Sequence, residues 1–203
     1  MCSFVAVTYV VHPATGDRFP GVAGILAPKR ANAKGCWCLS YRLAPGDFSR
    51  LVGEQRAAAA ESLCHALPYS PGLLAYDGAT AVGWVGVAPK ADLHEFATSK
   101  RYGEVDDQSA WVIWCFRVQP EHGGRGVATT LLAEAVEHAS RHGASTVEGY
   151  PVDNRGDKLS RTMASVGTVS MFERAGFVKL RDLTGSRDGH PQVFMRRNLT
   201  GNG

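Results

Sequence analysis

The stretch CFRVQPEHGGRGVATTLL, residues 115–132, decides the fold of this chain. It leaves an almost wholly apolar run, AWVIWCFRV at 110–118, passes through a loop with three glycines, and enters an amphipathic segment over 126–142. The apolar run predicts a central strand that is covered on both faces. In the segment that follows, apolar residues recur at the 3.6-residue period of a helix, and Gly143 suits the helix end. The sequence therefore predicts a strand, a glycine loop and a helix in that order.

The glycine loop predicts an anion-binding site. Gly123, Gly124 and Gly126 lie where the strand turns into the helix, and their backbone amides can converge on a phosphate or diphosphate. The helix N-terminus adds unsatisfied N–H donors and a positive partial charge. The Arg125 side chain either reinforces this charge or points into solvent. The alternative is a structural role, in which the glycines let the helix pack closely against the strand.

Three phosphate-binding patterns compete for this loop. A Walker loop requires Lys and then Ser or Thr after its last glycine, but Val127 and Ala128 occupy those positions. A Rossmann fingerprint fits weakly, because Thr129 stands at its third glycine position. The third pattern is an Arg or Gln followed by x-x-Gly-x-Gly/Ala, and here Gly126 and Ala128 fill its last two positions. In this respect the chain resembles the GNAT acetyltransferase superfamily.

The resemblance extends beyond the loop, from about Leu73 to Arg197. The strand VEGYPV (147–152), the segment SMFE (170–173) and the run AGF (175–177) follow in the order typical of that superfamily. The matching positions of the strand–loop–helix core are Val118, Pro120, Arg125, Gly126, Ala128 and Leu131-Leu132. The resemblance implies a single α/β domain with a mixed, mostly antiparallel central sheet flanked by helices. The residues before Leu73 would form the variable acceptor side.

The resemblance also implies the chemistry of an N-acetyltransferase, which moves an acetyl group from acetyl-CoA to a primary amine by direct attack in a ternary complex. The pantetheine arm would pair with the splayed end of the 110–118 strand, where a backbone N–H near 116–118 would stabilise the oxyanion. The expected cofactor contacts are Phe116, Val118, Gly123, Gly124, Arg125, Gly126, Val127, Ala128, Thr129 and Phe172. The candidate bases are Glu148 and Tyr150, or a water molecule held between them. No metal is expected.

Two positions depart from the superfamily pattern. Gly123 replaces the Arg or Gln at the head of the signature, so a side-chain contact with the diphosphate is lost unless His122 or Arg125 supplies it. Phe172 stands four residues before Gly176, where many GNAT enzymes have a tyrosine that protonates the departing thiolate. Because phenylalanine cannot donate a proton, either solvent or another group does so, or activity is reduced. One rival is therefore a CoA-binding sensor or regulatory module of the same fold, and a second is an unrelated nucleotide-binding protein.

Other segments predict the rest of the fold. Strands are predicted at 4–12, 36–42, 72–76, 81–87, 146–152, 177–180 and 192–198, and further helices at 17–26, 53–67, 92–102 and 166–175. Pro45 would end the 36–42 strand. Cys36-Trp37-Cys38 lacks zinc or thioredoxin spacing and is interpreted as buried strand residues or as lining of the acceptor pocket. Cys115 is interpreted as an inert core thiol, and His138 as exposed.

Length and composition limit the possible domain count, partners and location of the protein. Residues 1–203 suit one domain. The chain is 44% hydrophobic and 20% charged with a formal net charge of +3, which gives no support for nucleic acid or an anionic membrane as partner. No apolar run reaches the roughly 20 residues of a membrane helix. Five scattered cysteines favour reduced thiols and a cytoplasmic location. The acceptor stays open among small amines, antibiotics, amino acids, peptides and protein lysines. The oligomeric state also stays open, with a homodimer as one possibility.

Overall fold

The computed structural model describes residues 9–30, 33–66, 68–102, 110–157, 163–187 and 189–199. Its strands are β1 Val10–Pro13, β2 Gly72–Asp77, β3 Thr80–Pro89, β4 Ala110–Val118, β5 Thr146–Gly149, β6 Val178–Arg187 and β7 His190–Asn198. Its α-helices are α1 Phe19–Leu26, α2 Pro45–Arg50, α3 Glu54–Ala66, α4 His94–Thr98, α5 Val127–Arg141 and α6 Val169–Arg174. Short 3-10 turns occupy Gly16–Arg18, Lys90–Asp92, Lys100–Tyr102, Pro120–His122 and Met163–Val166. None of the described helices is both long and apolar enough to span a membrane.

The strands form one seven-stranded sheet in the order β1-β2-β3-β4-β5-β7-β6. Five neighbouring pairs are antiparallel, and only β4 and β5 run parallel. A parallel pair needs a crossover connection, and α5 provides it between β4 and β5. The predicted mixed, mostly antiparallel sheet with flanking helices is confirmed.

The parallel pair opens into a fork. Its pairing runs from Ala110 opposite Thr146 to Ile113 opposite Gly149, where β5 ends. β4 continues to Val118 and, over that stretch, pairs on its other side with β3. Because one β3 step from Gly86 to Val87 faces a step from Cys115 to Ile113, Trp114 is the extra residue of a β-bulge in β4. The second half of β4 thus presents a backbone edge beside the end of β5.

Two apolar layers cover the sheet. On one face, α5 buries a stripe of apolar side chains against the sheet, as its period predicts, at Val127, Leu131, Leu132, Ala135, Val136 and Ala139. Trp111 belongs to this layer and Trp114 to the opposite layer. The prediction that His138 is exposed is wrong: only 2% of the residue is accessible, and its ring packs edge-on against Trp111 at 5.8 Å. Position 138 borders the apolar stripe, so the wide Trp111 ring reaches it.

The predicted strand at 36–42 is wrong. These residues form turns, and Trp37 and Cys38 have left-handed φ angles of 50° and 56°. Trp37 and Leu39 are buried in a small cluster with Ala60 of α3, so the apolar pattern reports burial without sheet pairing. Pro45 begins α2 instead of ending a strand. The predicted strand at 4–12 is described only from residue 9, and β1 begins at Val10.

Candidate functional site

A cleft of about 870 Å³ opens at the end of β4. The end of β4, the following loop and the first turn of α5 form one side, and Ile25 of α1 with Lys29 forms the other. The remaining lining residues are Phe116, Arg117, Val118, Gln119, Pro120, His122, Gly123, Gly124, Gly126, Val127, Ala128 and Thr129. We call this space the β4 cleft. Eight of the ten predicted cofactor contacts line it, and Arg125 and Phe172 do not.

The backbone geometry of the loop between β4 and α5 suits it to bind an anion. Gly124 and Gly126 have φ angles of 73° and 86°, in the left-handed region that side chains disfavour. Gly126 is the N-cap of α5 and offers no side-chain oxygen to the helix. The amides of Val127, Ala128 and Thr129 belong to the first turn, which has no carbonyl acceptors within the helix. They therefore remain available to an anion, which the helix dipole also attracts.

The close approach of α5 to the sheet depends on a glycine that the sequence pattern did not reveal. A Cβ on Gly83 of β3 would lie 2.6 Å from Cγ1 of Val127, which is closer than real side chains come. Gly83 therefore lets the first turn of α5 rest on β3 and β4, so that its amides face the cleft. Loop glycines thus set the direction of the donors, and Gly83 sets their position.

Cations surround the cleft, and not all of them were predicted. Lys29 and Arg117 line it, although no local motif marks either. His122, the predicted substitute for the missing signature side chain, also lines the cleft, and its Nε2 lies 3.3 Å from Oδ2 of Asp77 in the β2–β3 turn. Arg125 is exposed and forms no ion pair with any residue that the structure describes. These charges favour a polyanionic ligand.

Phe172 lies in the core of the protein. It has no accessible surface, and its ring packs edge-on against Phe116 at 6.3 Å and Phe177 at 4.9 Å. A Cβ on Gly149 would overlap the Phe172 ring, so that glycine makes room for it at the end of β5. The position at which many GNAT enzymes have a tyrosine is therefore apolar and closed here.

The two predicted bases meet in the fold, but away from the cleft lining. The Tyr150 hydroxyl donates to Oε2 of Glu148 at 2.8 Å, and the same oxygen accepts from Lys90 Nζ at 2.9 Å. Oε1 of Glu148 accepts from Nη2 of Arg196 at 2.9 Å. We call these four residues the Glu148 network. Arg196 stands opposite Glu148 in the β5–β7 register, so the network joins neighbouring strands.

Burial decides the state of this network. Glu148 has no accessible surface, and both of its oxygens are occupied. Tyr150 is stacked on Phe96 and Phe194 at 4.9 and 5.3 Å. Burial, and then the negative charge of Glu148, raise the pKa of Tyr150 far above its ordinary value. Its hydroxyl therefore stays protonated and acts as a hydrogen-bond donor. The predicted catalytic role of the pair stays a prediction.

Sequence comparison identifies the class of protein. The profile of the Acetyltransferase (GNAT) family matches residues 41–156, which is more than half of the chain. The chain belongs to this family. No curated protein sequence matches the chain.

Solved structures share the fold over almost the whole chain. One is the acetyltransferase yncA from Salmonella typhimurium, in a structure with its cofactor acetyl-CoA. It is 14% identical to this chain, the match covers 97% of this chain and 96% of the other, and the TM-score is 0.57. An acetyltransferase related to histone acetyltransferase HPA2 from Corynebacterium glutamicum is 19% identical, with 96% and 98% covered and a TM-score of 0.56. A GNAT-family acetyltransferase from Streptococcus pneumoniae is 14% identical, with 95% and 100% covered and a TM-score of 0.55. At these identities the likeness concerns the fold.

Proposed function

We propose that this protein is an N-acetyltransferase that transfers the acetyl group of acetyl-CoA to a primary amine. One observation carries the proposal: the last residues of β4, which pair with no described strand on the β5 side, and the free amides at the start of α5 line the same 870 Å³ cleft. An edge strand can pair with an amide-containing chain, and a helix N-terminus can hold a diphosphate. Coenzyme A contains both groups in one molecule. The related structure from Salmonella typhimurium, which contains acetyl-CoA, supports this ligand class.

The proposed binding mode follows from the two parts of the cleft. The diphosphate lies on amides within residues 123–129, chiefly those of Gly124 and residues 126–129, because the amides of Gly123 and Arg125 already donate to backbone carbonyls. Lys29 and Arg117 add positive charge. The pantetheine arm extends β4 by pairing with its edge at Phe116 and Val118. Arg125 contacts the diphosphate from the solvent side, and Phe172 supports the site by fixing the Phe116 ring. This arrangement needs no metal.

The proposed reaction is a direct displacement in a ternary complex. The amine nitrogen attacks the thioester carbon, the C–N bond forms, and the C–S bond breaks as the CoA thiolate leaves. A backbone N–H near Phe116 to Val118 stabilises the oxyanion that forms during attack. Holding the two substrates together supplies most of the acceleration, since no covalent intermediate with the protein is needed.

Two proton transfers complete the reaction, and we assign both to water in the open cleft. One proton leaves the ammonium acceptor before attack, and one reaches the thiolate afterwards. Phe172 cannot serve as the acid, and Glu148 and Tyr150 lie outside the cleft lining with their polar atoms already paired. We therefore propose that the Glu148 network positions β5 beside the thioester and that its members do not touch the substrate.

A second candidate function is a CoA-binding sensor without transfer activity. Phenylalanine at position 172, which cannot donate a proton where many GNAT enzymes have a tyrosine, is the observation that favours it. Acetyl-CoA, NAD and ATP, each added at the same concentration, separate the ligand classes in a thermal-shift measurement, because a ligand present at about 100 times its Kd adds about 2.7 kcal/mol of stability and a ligand that does not bind adds none. Release of CoA with a panel of amines, measured by chromatography, then separates enzyme from sensor. Stabilisation by NAD or ATP in place of acetyl-CoA would refute both proposals.

A further inference from the structure

Three cysteine side chains converge beside the β4 cleft. Sγ of Cys38 lies 3.0 Å from Sγ of Cys115, the β4 residue just before Phe116. Trp84 Nε1 donates a hydrogen bond of 3.1 Å to the same Cys38 sulfur. Cys36 lies two residues before Cys38 in the same turn, and its sulfur interacts electrostatically with the Cys38 thiol. The sequence interprets Cys36 and Cys38 as buried strand residues or acceptor-pocket lining and Cys115 as an inert core thiol, and no local pattern predicts the contact between Cys38 and Cys115.

The backbone is strained where it brings these sulfurs together. Trp37 and Cys38 are consecutive non-glycine residues in the left-handed region, at φ angles of 50° and 56°. This conformation costs roughly 1–2 kcal/mol per residue. Burial of the Trp37 ring, which stacks on Phe19 at 6.2 Å, helps to hold the turn. Strain of this kind is concentrated at functional sites, since the surrounding structure must be selected to support it.

The thiols of Cys36 and Cys38 differ in accessibility and in pKa, as the two members of a reactive cysteine pair must. Cys36 is half-buried, and its pKa is lowered to about 5, first by the hydrogen bond from Cys38 and also by the positive charge of Arg117. Burial raises the pKa of Cys38 well above its ordinary value, so Cys38 keeps its proton. An accessible thiolate beside a buried thiol is the arrangement of an attacking and a resolving cysteine.

We propose that Cys36, Cys38 and Cys115 form an oxidation site for hydroperoxides, and that the stable product is a disulfide between Cys38 and Cys115. In the first step the Cys36 thiolate attacks the terminal peroxide oxygen and the O–O bond breaks. Cys36 sulfenic acid forms, and the departing alkoxide or hydroxide takes a proton from solvent and leaves as an alcohol or water. In the second step the Cys38 sulfur attacks the Cys36 sulfur. The Cys38 proton leaves with the sulfenic oxygen as water, which leaves a Cys36–Cys38 disulfide.

The third step is an exchange within the cluster. The Cys115 sulfur attacks the Cys38 sulfur and its proton passes to solvent. The Cys38–Cys115 bond forms, and Cys36 leaves as a thiolate. Cys36 is the better leaving group because a thiol of low pKa leaves faster. The contact between Cys38 and Cys115 has to shorten only from 3.0 Å to about 2.05 Å. The hydroperoxide accepts two electrons in total, so no further reductant or oxidant is required.

The test uses the full chain with Cys2→Ser, which removes the thiol outside the described residues. The protein is treated with one equivalent of hydrogen peroxide, alkylated, digested and analysed by mass spectrometry. We expect the Cys38–Cys115 cross-linked peptide as the main product, with Cys36 and Cys64 alkylated. Cys36→Ser should slow its formation about tenfold, because a resting thiol is only partly ionised near neutral pH. The matched control Cys64→Ser should leave the rate unchanged.

Two further variants isolate the steps. Cys115→Ser should trap the Cys36–Cys38 disulfide, and Cys38→Ser should leave Cys36 as a sulfenic acid that dimedone captures. A Cys38–Cys64 cross-link, oxidation of Cys64 at the same rate as Cys36, or an unchanged rate in Cys36→Ser would overturn the proposal. None of these readouts depends on acetyl transfer, so the test of this inference is independent of the proposed function.

Discussion

The β4 cleft lies at the end of β4 and the Glu148 network lies on the neighbouring strand β5, and both were candidate sites from sequence. They differ in what their polar groups contact. In the cleft, the first-turn amides of α5 and the edge of β4 are open to a ligand. In the network, Glu148 has no accessible surface and its carboxylate oxygens accept from three partners. The comparison teaches that donors left without partners mark a binding site, whereas a buried carboxylate whose two oxygens are both paired stabilises the fold.

The largest expected effect is on stability, from Glu148→Gln. Removing the carboxylate leaves Lys90 and Arg196 buried beside a neutral amide, and breaking a buried pair in this way costs about 3–5 kcal/mol. Urea unfolding measures the loss, and the matched control Glu137→Gln, on the exposed face of α5, should change stability by less than about 0.5 kcal/mol. If stability is unchanged while the pH–rate profile loses its basic group, Glu148 is instead the catalytic base.

The next effect is on ligand binding, from Thr129→Asp. Thr129 is exposed and lines the cleft, and a carboxylate in the first turn of a helix favours folding. The same charge repels a diphosphate, so the Kd for acetyl-CoA should rise about 10- to 100-fold, as titration calorimetry would show. The neutral counterpart Thr129→Asn should bind within about threefold of the unchanged protein. Equal losses in both variants would mean that shape, and not charge, governs this turn.

A smaller effect is expected from Tyr150→Phe. The change removes one hydrogen bond to Glu148 while both cations stay paired, which costs about 1–3 kcal/mol because the acceptor is charged. The kcat for acetyl transfer should fall less than about threefold when measured well below the unfolding transition. A hundredfold loss of kcat with native stability would show that the hydroxyl takes part in proton transfer.

The smallest expected effect is on the rates at which iodoacetamide alkylates the cysteines between pH 6 and 8. Cys36, with a pKa of about 5, is already a thiolate over this range, so its alkylation rate should stay nearly constant. Cys64, whose pKa is raised to about 11 by burial, should react about 10 times faster for each added pH unit. Peptide mass spectrometry separates the two sites. A tenfold rise per pH unit at Cys36 would show that its thiol is not ionised.

Local patterns predicted the part of the molecule that is built from consecutive residues. The apolar run of β4, the left-handed glycines and the 3.6-residue stripe of α5 each lie within one short stretch, so the loop and most of the cleft lining could be read directly. Cys36-Trp37-Cys38 misled the prediction, because an apolar pattern reports burial and the buried backbone there is a turn.

Contacts between distant residues could not be predicted. Lys90 and Arg196 lie 58 and 48 positions from Glu148, and no spacing rule links them. Lys29 reaches the cleft from the segment after α1, which carries no phosphate-binding signal of its own. Cys38 and Cys115, which are 77 positions apart, meet only because the turn packs on β4.

A crystal structure with acetyl-CoA tests the central claim most directly. The account predicts that the diphosphate accepts hydrogen bonds from amides within residues 123–129, and that the pantetheine arm pairs with β4 beside Phe116 and Val118. Acetyl-CoA bound elsewhere, with the start of α5 left in contact with solvent, would contradict it.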